Sequence, residues 1–220
     1  MLTAKEARSW ILRGLINGYR RTFIKFGDGE FLSINGAGGQ SINGDAYTEP
    51  VRYALHDALT YFAKQPDTLV GYWPDHAPHA HIRAMHATHL QPQWADYTTL
   101  LLQQTNVPLM ADFWRQVQRT GRPLTYVAPA RMAPVASWLN AKHVVIPDSN
   151  AYPIDTQAIP SVGTCIIGAG FAAKPLIHQL HQAMPDLSLL DVGSGLDVLT
   201  GTMSRQDQPD PSEAIHTFGL

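Results

Sequence analysis

The stretch SVGTCIIGAGFAAKPLIHQLHQAMPDLSLLDVGSG, residues 161–195, decides the fold. Residues 162–167 form a short apolar, β-branched run closed by Gly168, the pattern of a strand. Residues 171–183 read as a helix and residues 187–192 as a second strand. The apolar runs CIIG and LLDV lack the in–out alternation of a half-exposed strand, which fits strands buried on both faces. A strand, a tight glycine turn, a helix and another strand make one βαβ unit, the building block of a parallel sheet.

The same alternation extends back to the N-terminus. Ala7, Trp10, Ile11, Leu15 and Ile16 recur at helical spacing, with Gly18 as the stop. Thr22–Phe26 reads as a strand, and a short helix follows over residues 28–34 with Asp28 as its N-cap. A Gly-rich loop fills residues 35–45. Residues 49–64 place Val51, Ala54, Leu55, Ala58, Leu59 and Phe62 on one helical face, with Pro50 in the first turn. Thr68–Tyr72 is the next strand, and the His- and Pro-rich residues 74–92 read as loop then helix. A helix at 109–119, a strand at 124–127, a helix at 132–139 and a strand at 143–146 complete the series. The expected architecture is therefore α/β: Rossmann-like, a mostly parallel sheet with helices on both faces, in a single domain. Residues 1–205 read as that domain and residues 206–220 as a loosely ordered C-terminal tail.

Composition narrows the class. The chain has 220 residues, 45% hydrophobic and 15% charged, with a net charge of -2. That balance supports a core and lacks the basic excess of a nucleic-acid binder. A single cysteine, Cys165, excludes a disulfide framework, and its apolar strand makes it a buried thiol and not a nucleophile. No apolar run reaches the ~18 residues of a membrane span. The first fifteen residues mix charges into an amphipathic helix, unlike a signal peptide. The expectation is a soluble, cytoplasmic protein.

In open α/β sheets ligands sit outside the carboxyl ends of the strands, so the residues after each strand are the candidates. After the first strand comes Gly27-Asp28-Gly29-Glu30. Two carboxylates two residues apart, flanked by glycines that admit close approach, suit a Mn²⁺ or Mg²⁺ ion shared with a diphosphate. The same residues also read as an N-cap Asp with a first-turn Glu facing the helix dipole. Lys25 reaches a phosphate only if its side chain points to the ligand side. Gly168-Ala169-Gly170, with Lys174 one turn into the helix and Asp191 ending the next strand, approximates a dinucleotide fingerprint. Its place at the end of the chain leaves too few residues for the strands an NAD domain needs. An anion at the helix start, or a tight turn with no ligand, are the other readings. Asp191-Val192-Gly193-Ser194-Gly195 likewise imitates the first motif of S-adenosylmethionine (SAM) methyltransferases, again in the wrong place. Asn150 could hydrogen-bond a base or sugar, and Tyr152 could stack on one. His76, His79, His81, His86 and His89 form a cluster in which only His86 and His89 share a helical face. No carboxylate pattern accompanies it, so it reads as a solvated or interface segment and not a zinc site.

Taken in order, these motifs resemble the GT-D type glycosyltransferases, once catalogued as a domain of unknown function. The likeness runs through Phe23-Ile24-Lys25-Phe26-Gly27-Asp28-Gly29-Glu30-Phe31. It resumes at Val144-Val145-Ile146-Pro147 with Asn150-Ala151-Tyr152, and ends with Ile167-Gly168-Ala169-Gly170, Ala173-Lys174 and Leu190-Asp191-Val192-Gly193. The resemblance implies a Rossmann-like enzyme moving a sugar from a nucleotide-diphosphate-sugar donor, a UDP-sugar first, to an acceptor such as a glycan or glycoprotein. It implies that Asp28 and Glu30 handle a divalent metal and the donor diphosphate. Gly27, Gly29, Lys25, Asn150, Gly168, Gly170, Lys174 and Asp191 become candidate donor contacts, with neither nucleic acid nor a membrane span involved. Asp45 is a candidate general base, beside His56 and Asp75. The resemblance does not reach residues 73–120, where acceptor recognition is expected to vary. The alternatives are a nucleotide-binding protein without transfer activity, or a SAM- or NAD-dependent enzyme using the C-terminal Gly-rich loops.

Overall fold

Apolar periodicity sets the elements. In the N-terminal helix α1 (Ala4–Ile16), Ala7, Ile11 and Leu15 are buried along one stripe. Thr3 caps it through a reciprocal pairing with Glu6, whose carboxylate accepts from the Thr3 N–H at 2.8 Å. The strand β1 (Thr22–Phe26) is buried at all five positions. It leads into α2 (Asp28–Ile34) and α3 (Glu49–Phe62), then β2 (Thr68–Tyr72). Next come β3 (Trp94–Asp96), α4 (Val107–Arg119), β4 (Leu124–Pro129), α5 (Ala133–Trp138) and β5 (Lys142–Ile146). The chain continues through β6 (Gly163–Ile167), α6 (Ala173–Ala183), β7 (Leu187–Asp191) and α7 (Pro211–Phe218). This is a computed structural model, and it describes residues 1–39, 46–73, 92–149, 151–204 and 207–220.

The seven strands form one sheet in the order β3-β2-β1-β7-β6-β4-β5. Every pairing is parallel, from Thr22 beside Thr68 to Ile167 beside Asp191. The two faces of the sheet bury separate cores. One joins Phe23, Leu69, Tyr126 and Leu190 to residues of α1, α4, α5 and α7, among them Ile11, Trp114, Val135 and Phe218. The other joins Ile24, Val70, Cys165 and Leu189 to residues of α2, α3 and α6, among them Phe31, Leu55 and Ile177. Adjacent strand residues thus serve opposite cores, as the two-residue period of a strand requires. The expected α/β class, parallel sheet and two-sided helical cover are all present.

Three readings change. Gly27, not Asp28, is the N-cap of α2, so Asp28 sits in the first helical turn. Trp94–Asp96 is a strand that sequence periodicity does not announce, being only three residues long. The tail expected to be loosely ordered carries α7, capped by Asp210, whose Oδ1 accepts from the Ser212 and Glu213 N–H groups at 2.9 and 3.2 Å. Its Phe218 is buried, and the Phe218 carbonyl accepts from Trp138 Nε1 at 2.8 Å.

Candidate functional site

The chain leaves β1 toward β2 and β3, and later returns from β6 to lay β7 on the other side of β1. The sheet therefore has a switch point between β1 and β7, where a crevice opens at the carboxyl ends of the strands. Gly27, Asp28, Gly29 and Glu30 follow β1; Gly168, Gly170 and Lys174 follow β6; Asp191 and Gly193 close β7. The fold brings these predicted residues to one end of the sheet.

Their bonding divides them into a held set and an open one. The Gly27 N–H donates to Glu30 Oε2 at 3.0 Å, closing the first turn of α2. Glu30 Oε1 lies 3.1 Å from Lys174 Nζ, with the Glu30 side chain only 12% exposed. Lys174 Nζ also reaches Asp191 Oδ2 at 3.2 Å and donates to the Gly170 carbonyl at 3.0 Å. An ammonium has three donors, so those of Lys174 are spent inside the protein. Asp191 is fully buried: Oδ2 also accepts the Lys25 backbone N–H at 3.2 Å, and Oδ1 accepts the Gly193 N–H at 3.0 Å. Burial alone would lower the Lys174 pKa, but Asp191 and Glu30 raise it well above the ordinary lysine range. Burial pushes Glu30 up, and Lys174 with Lys25 outweighs it, holding the carboxyl below its ordinary value. Asp28 differs. Its carboxylate is exposed, with no hydrogen bond or ion pair among the described residues.

Lys25 points to the other face of the sheet. Its Nζ donates to the Tyr97 hydroxyl at 3.2 Å and lies 4.5 Å from the Tyr97 ring centre. A Cβ on Gly193 would sit 2.4 Å from that Nζ, and Gly193 has φ +49, so only glycine fits there. Tyr47 covers Gly29 in the same way, its hydroxyl 2.6 Å from where a Gly29 Cβ would be. Burial, then the charge of Glu30, raises the Tyr47 pKa. Neither tyrosine stands out in the sequence. Tyr97 follows β3 directly, so the after-the-strand rule finds it once that strand is known.

A cleft adjoins the crevice, lined by Gly168, Gly170, Gly193, Ser194, Arg131 and Asp148. Arg131, another residue the sequence reading passed over, has Nε 3.3 Å from Asp148 Oδ1 and its terminal nitrogen 3.3 Å from Asp197 Oδ2. The Gly168 N–H is taken by the Val127 carbonyl at 2.8 Å. Cys165 is fully buried, and burial pushes its thiol pKa up, as expected of an inert cysteine. His56 is on α3 beside Asp57 at 3.5 Å. Asp45, Asp75, Asn150 and the cluster His76, His79, His81, His86 and His89 lie outside the described residues. Among the described residues, no group of three or more His, Cys, Asp or Glu could hold a metal ion. No helix among them is long and apolar enough to cross a membrane. The dinucleotide reading meets an obstacle at Asp191, because an acid with both oxygens engaged and no exposure cannot take a ribose hydroxyl.

No family model matches the chain, and no curated protein matches it significantly by sequence. Its fold has solved counterparts. A glycosyltransferase of the domain of unknown function 1792 from Streptococcus sanguinis superposes with a TM-score of 0.64 at 15% identity, covering 99% of this chain and 92% of that one. A second structure, described as a domain of unknown function 1792 with a distinct glycosyltransferase fold, gives a TM-score of 0.61 at 17% identity. It covers 87% of this chain and 77% of that one. The chain has this glycosyltransferase fold.

Proposed function

We propose that this chain is a glycosyltransferase that moves a sugar from a nucleoside-diphosphate-sugar donor, a UDP-sugar first, to a hydroxyl acceptor such as a glycan or glycoprotein. The observation that carries the reading is the switch-point crevice of a glycosyltransferase fold, with Asp28 exposed at its rim above a buried set of lysines and acids. The residues fit a divalent ion in one arrangement. Asp28 offers an uncommitted carboxylate, whereas both Glu30 oxygens already face a donor or an ammonium. Mn²⁺ or Mg²⁺ would take Asp28 directly and Glu30 through water, with the diphosphate filling other positions. Bound there, the ion would neutralise charge on the departing diphosphate.

The chain's own residues do the rest. Lys174 ties Glu30 to Asp191, which locks the start of α2 to the end of β7 and fixes where Asp28 is presented. Gly29 and Gly193 leave room for the Tyr47 hydroxyl and the Lys25 ammonium to pack against the backbone beside the crevice. Gly168, Gly170 and Ser194 line the adjoining cleft, which would take the nucleotide or the acceptor. The test is release of nucleoside diphosphate from a panel of nucleotide sugars with Mn²⁺ and a mixture of acceptor glycans. Turnover of a UDP-sugar is expected. Asp28→Asn should lower kcat by about 100-fold, the scale of removing one preorganised electrostatic group. Failure of every nucleotide sugar to bind or turn over would sink the reading.

A further inference from the structure

A second cavity lies beside Tyr47, whose hydroxyl packs on Gly29 next to Asp28. Its volume is about 170 Å³, and Ser33 of α2 lines it with Tyr47, Thr48 and the first residues of α3, Glu49 and Arg52 among them. Thr48 and Glu49 are exposed, so the cavity opens to solvent. One water needs about 10–15 Å³, and a drug-sized ligand fills about 300 Å³ or more. The space therefore suits a single sugar ring and is too small for a nucleotide. Two polar side chains in it are unspent. Ser33 is 1% exposed, and its Oγ has no hydrogen-bond partner. Arg52 is half-buried. Its guanidinium lies against Gly36, with Nη1 3.5 Å from where a Cβ would be, and 5.7 Å from the Tyr53 ring centre. It makes no hydrogen bond or ion pair among the described residues. Buried polar groups are normally paired, so an open hydroxyl and an open guanidinium lining one cavity call for a ligand.

We propose that this cavity is the acceptor subsite, holding one monosaccharide unit through Arg52 and Ser33. The inference deepens the transferase reading and rests on it only for naming the sugar as the acceptor. The lining suits a neutral polyol better than an anion. Arg52 brings N–H donors, and the hydroxyls of Ser33 and Thr48 both donate and accept. The Thr48 hydroxyl is not used to cap α3. Glu49 brings a carboxylate whose Oε1 accepts from the Tyr53 hydroxyl at 3.1 Å and whose Oε2 is open. Each sugar hydroxyl donates and accepts, so it can use both kinds of partner, whereas a phosphate would meet the Glu49 charge. The position fits as well. Ser33 follows Asp28 by five residues on the same helix, about 7.5 Å along its axis. A sugar held there is a neighbour of the ion and diphosphate proposed at Asp28, with Tyr47 as the wall between them.

The experiment is ligand-observed NMR on the full chain in EDTA without nucleotide. The probes are methyl glycosides of glucose, galactose, mannose and N-acetylglucosamine, followed by saturation transfer, and inorganic phosphate, followed by its phosphorus line width. Wild type should bind one or more of the glycosides. Arg52→Gln should weaken that binding by about tenfold, the scale of a hydrogen bond from a charged group. Ser33→Ala should weaken it by about threefold, yet melt no lower than wild type, because the lost hydroxyl had no partner. That split between affinity and stability is one a purely structural serine would not give. Where transfer is measured, both variants should raise the KM for the acceptor and leave the KM for the donor unchanged. Glycoside binding by a chain that turns over no nucleotide sugar would keep the sugar subsite and remove the transferase reading. The inference would be overturned if wild type bound no glycoside, if both folded variants kept wild-type affinity, or if phosphate bound in an Arg52-dependent way and glycosides did not.

Discussion

Lys174 shows how much of the site rests on single side chains. It holds Glu30 and Asp191 together while itself 2% exposed. Removing one member of a buried ionic cluster leaves the others charged and desolvated, a cost of about 3–5 kcal/mol. In a domain of this size each kcal/mol moves Tm by about 2–4 °C. Lys174→Met should therefore melt some 6–20 °C below wild type by calorimetry, and adding Glu30→Gln should recover part of the loss. The pH dependence has two limbs. Glu30's folded pKa lies below its ordinary 4.5, so its stabilisation is present above that value and is lost as pH falls through the lowered folded pKa. Lys174's folded pKa lies above its ordinary 10.5, so its stabilisation is present below that value and is lost as pH rises through the raised one. Melting curves of Lys174→Met should show a flattened fall on both sides; a profile parallel to wild type would mean the cluster contributes no linked stability. Asp67 adds to the acid limb. Burial raises its pKa, but hydrogen bonds from His181 and Arg20 hold it at about 2, so that share is present above 3.8 and fades toward pH 2.

At the scale of elements, the start of β6 is pinned by a glycine. Gly163 has φ +107, and a Cβ there would come 2.3 Å from the Pro123 carbonyl oxygen at the start of β4. Backbone cannot step aside as a side-chain tip can, so Gly163→Ala should cost several kcal/mol, about 3 or more, by denaturant melts. Phe218→Ala at the end of α7 should cost about 3–5 kcal/mol, because it opens a cavity in the core under α5. That helix was legible. Asp210, Pro211 and Gly219 are an N-cap, a first-turn proline and a C-terminal stop, and Ala214 with Phe218 is a buried pair one turn apart. Polar composition masked those signals. β3 was not legible, since three residues carry no period, and with it went Tyr97. The long apolar strands were plain because burial on both faces leaves a run of uninterrupted hydrophobics. The Asp-x-Glu turn and the Gly168–Lys174 turn were found by their place after strands. The pairing of Lys174 with Glu30 and Asp191 was not, because it joins three crossovers that become neighbours only when β7 returns beside β1.

For the whole molecule, a net charge of -2 means that no general field draws in a diphosphate. On the proposed reading attraction has to be local, through an ion held by Asp28 at the switch point. The proposed ion makes a prediction for the intact chain. A ligand that binds only the native state adds about 2.7 kcal/mol at a hundred times its Kd. For a chain of 220 residues that corresponds to a rise in Tm of about 5–10 °C. UDP with Mn²⁺ should give a shift of this size by thermal denaturation, and UDP in EDTA a smaller one. Asp28→Asn should abolish the difference between the two conditions while keeping the EDTA shift. If Asp28→Asn retained the full Mn²⁺-dependent increment, the ion would have to be held elsewhere in the chain.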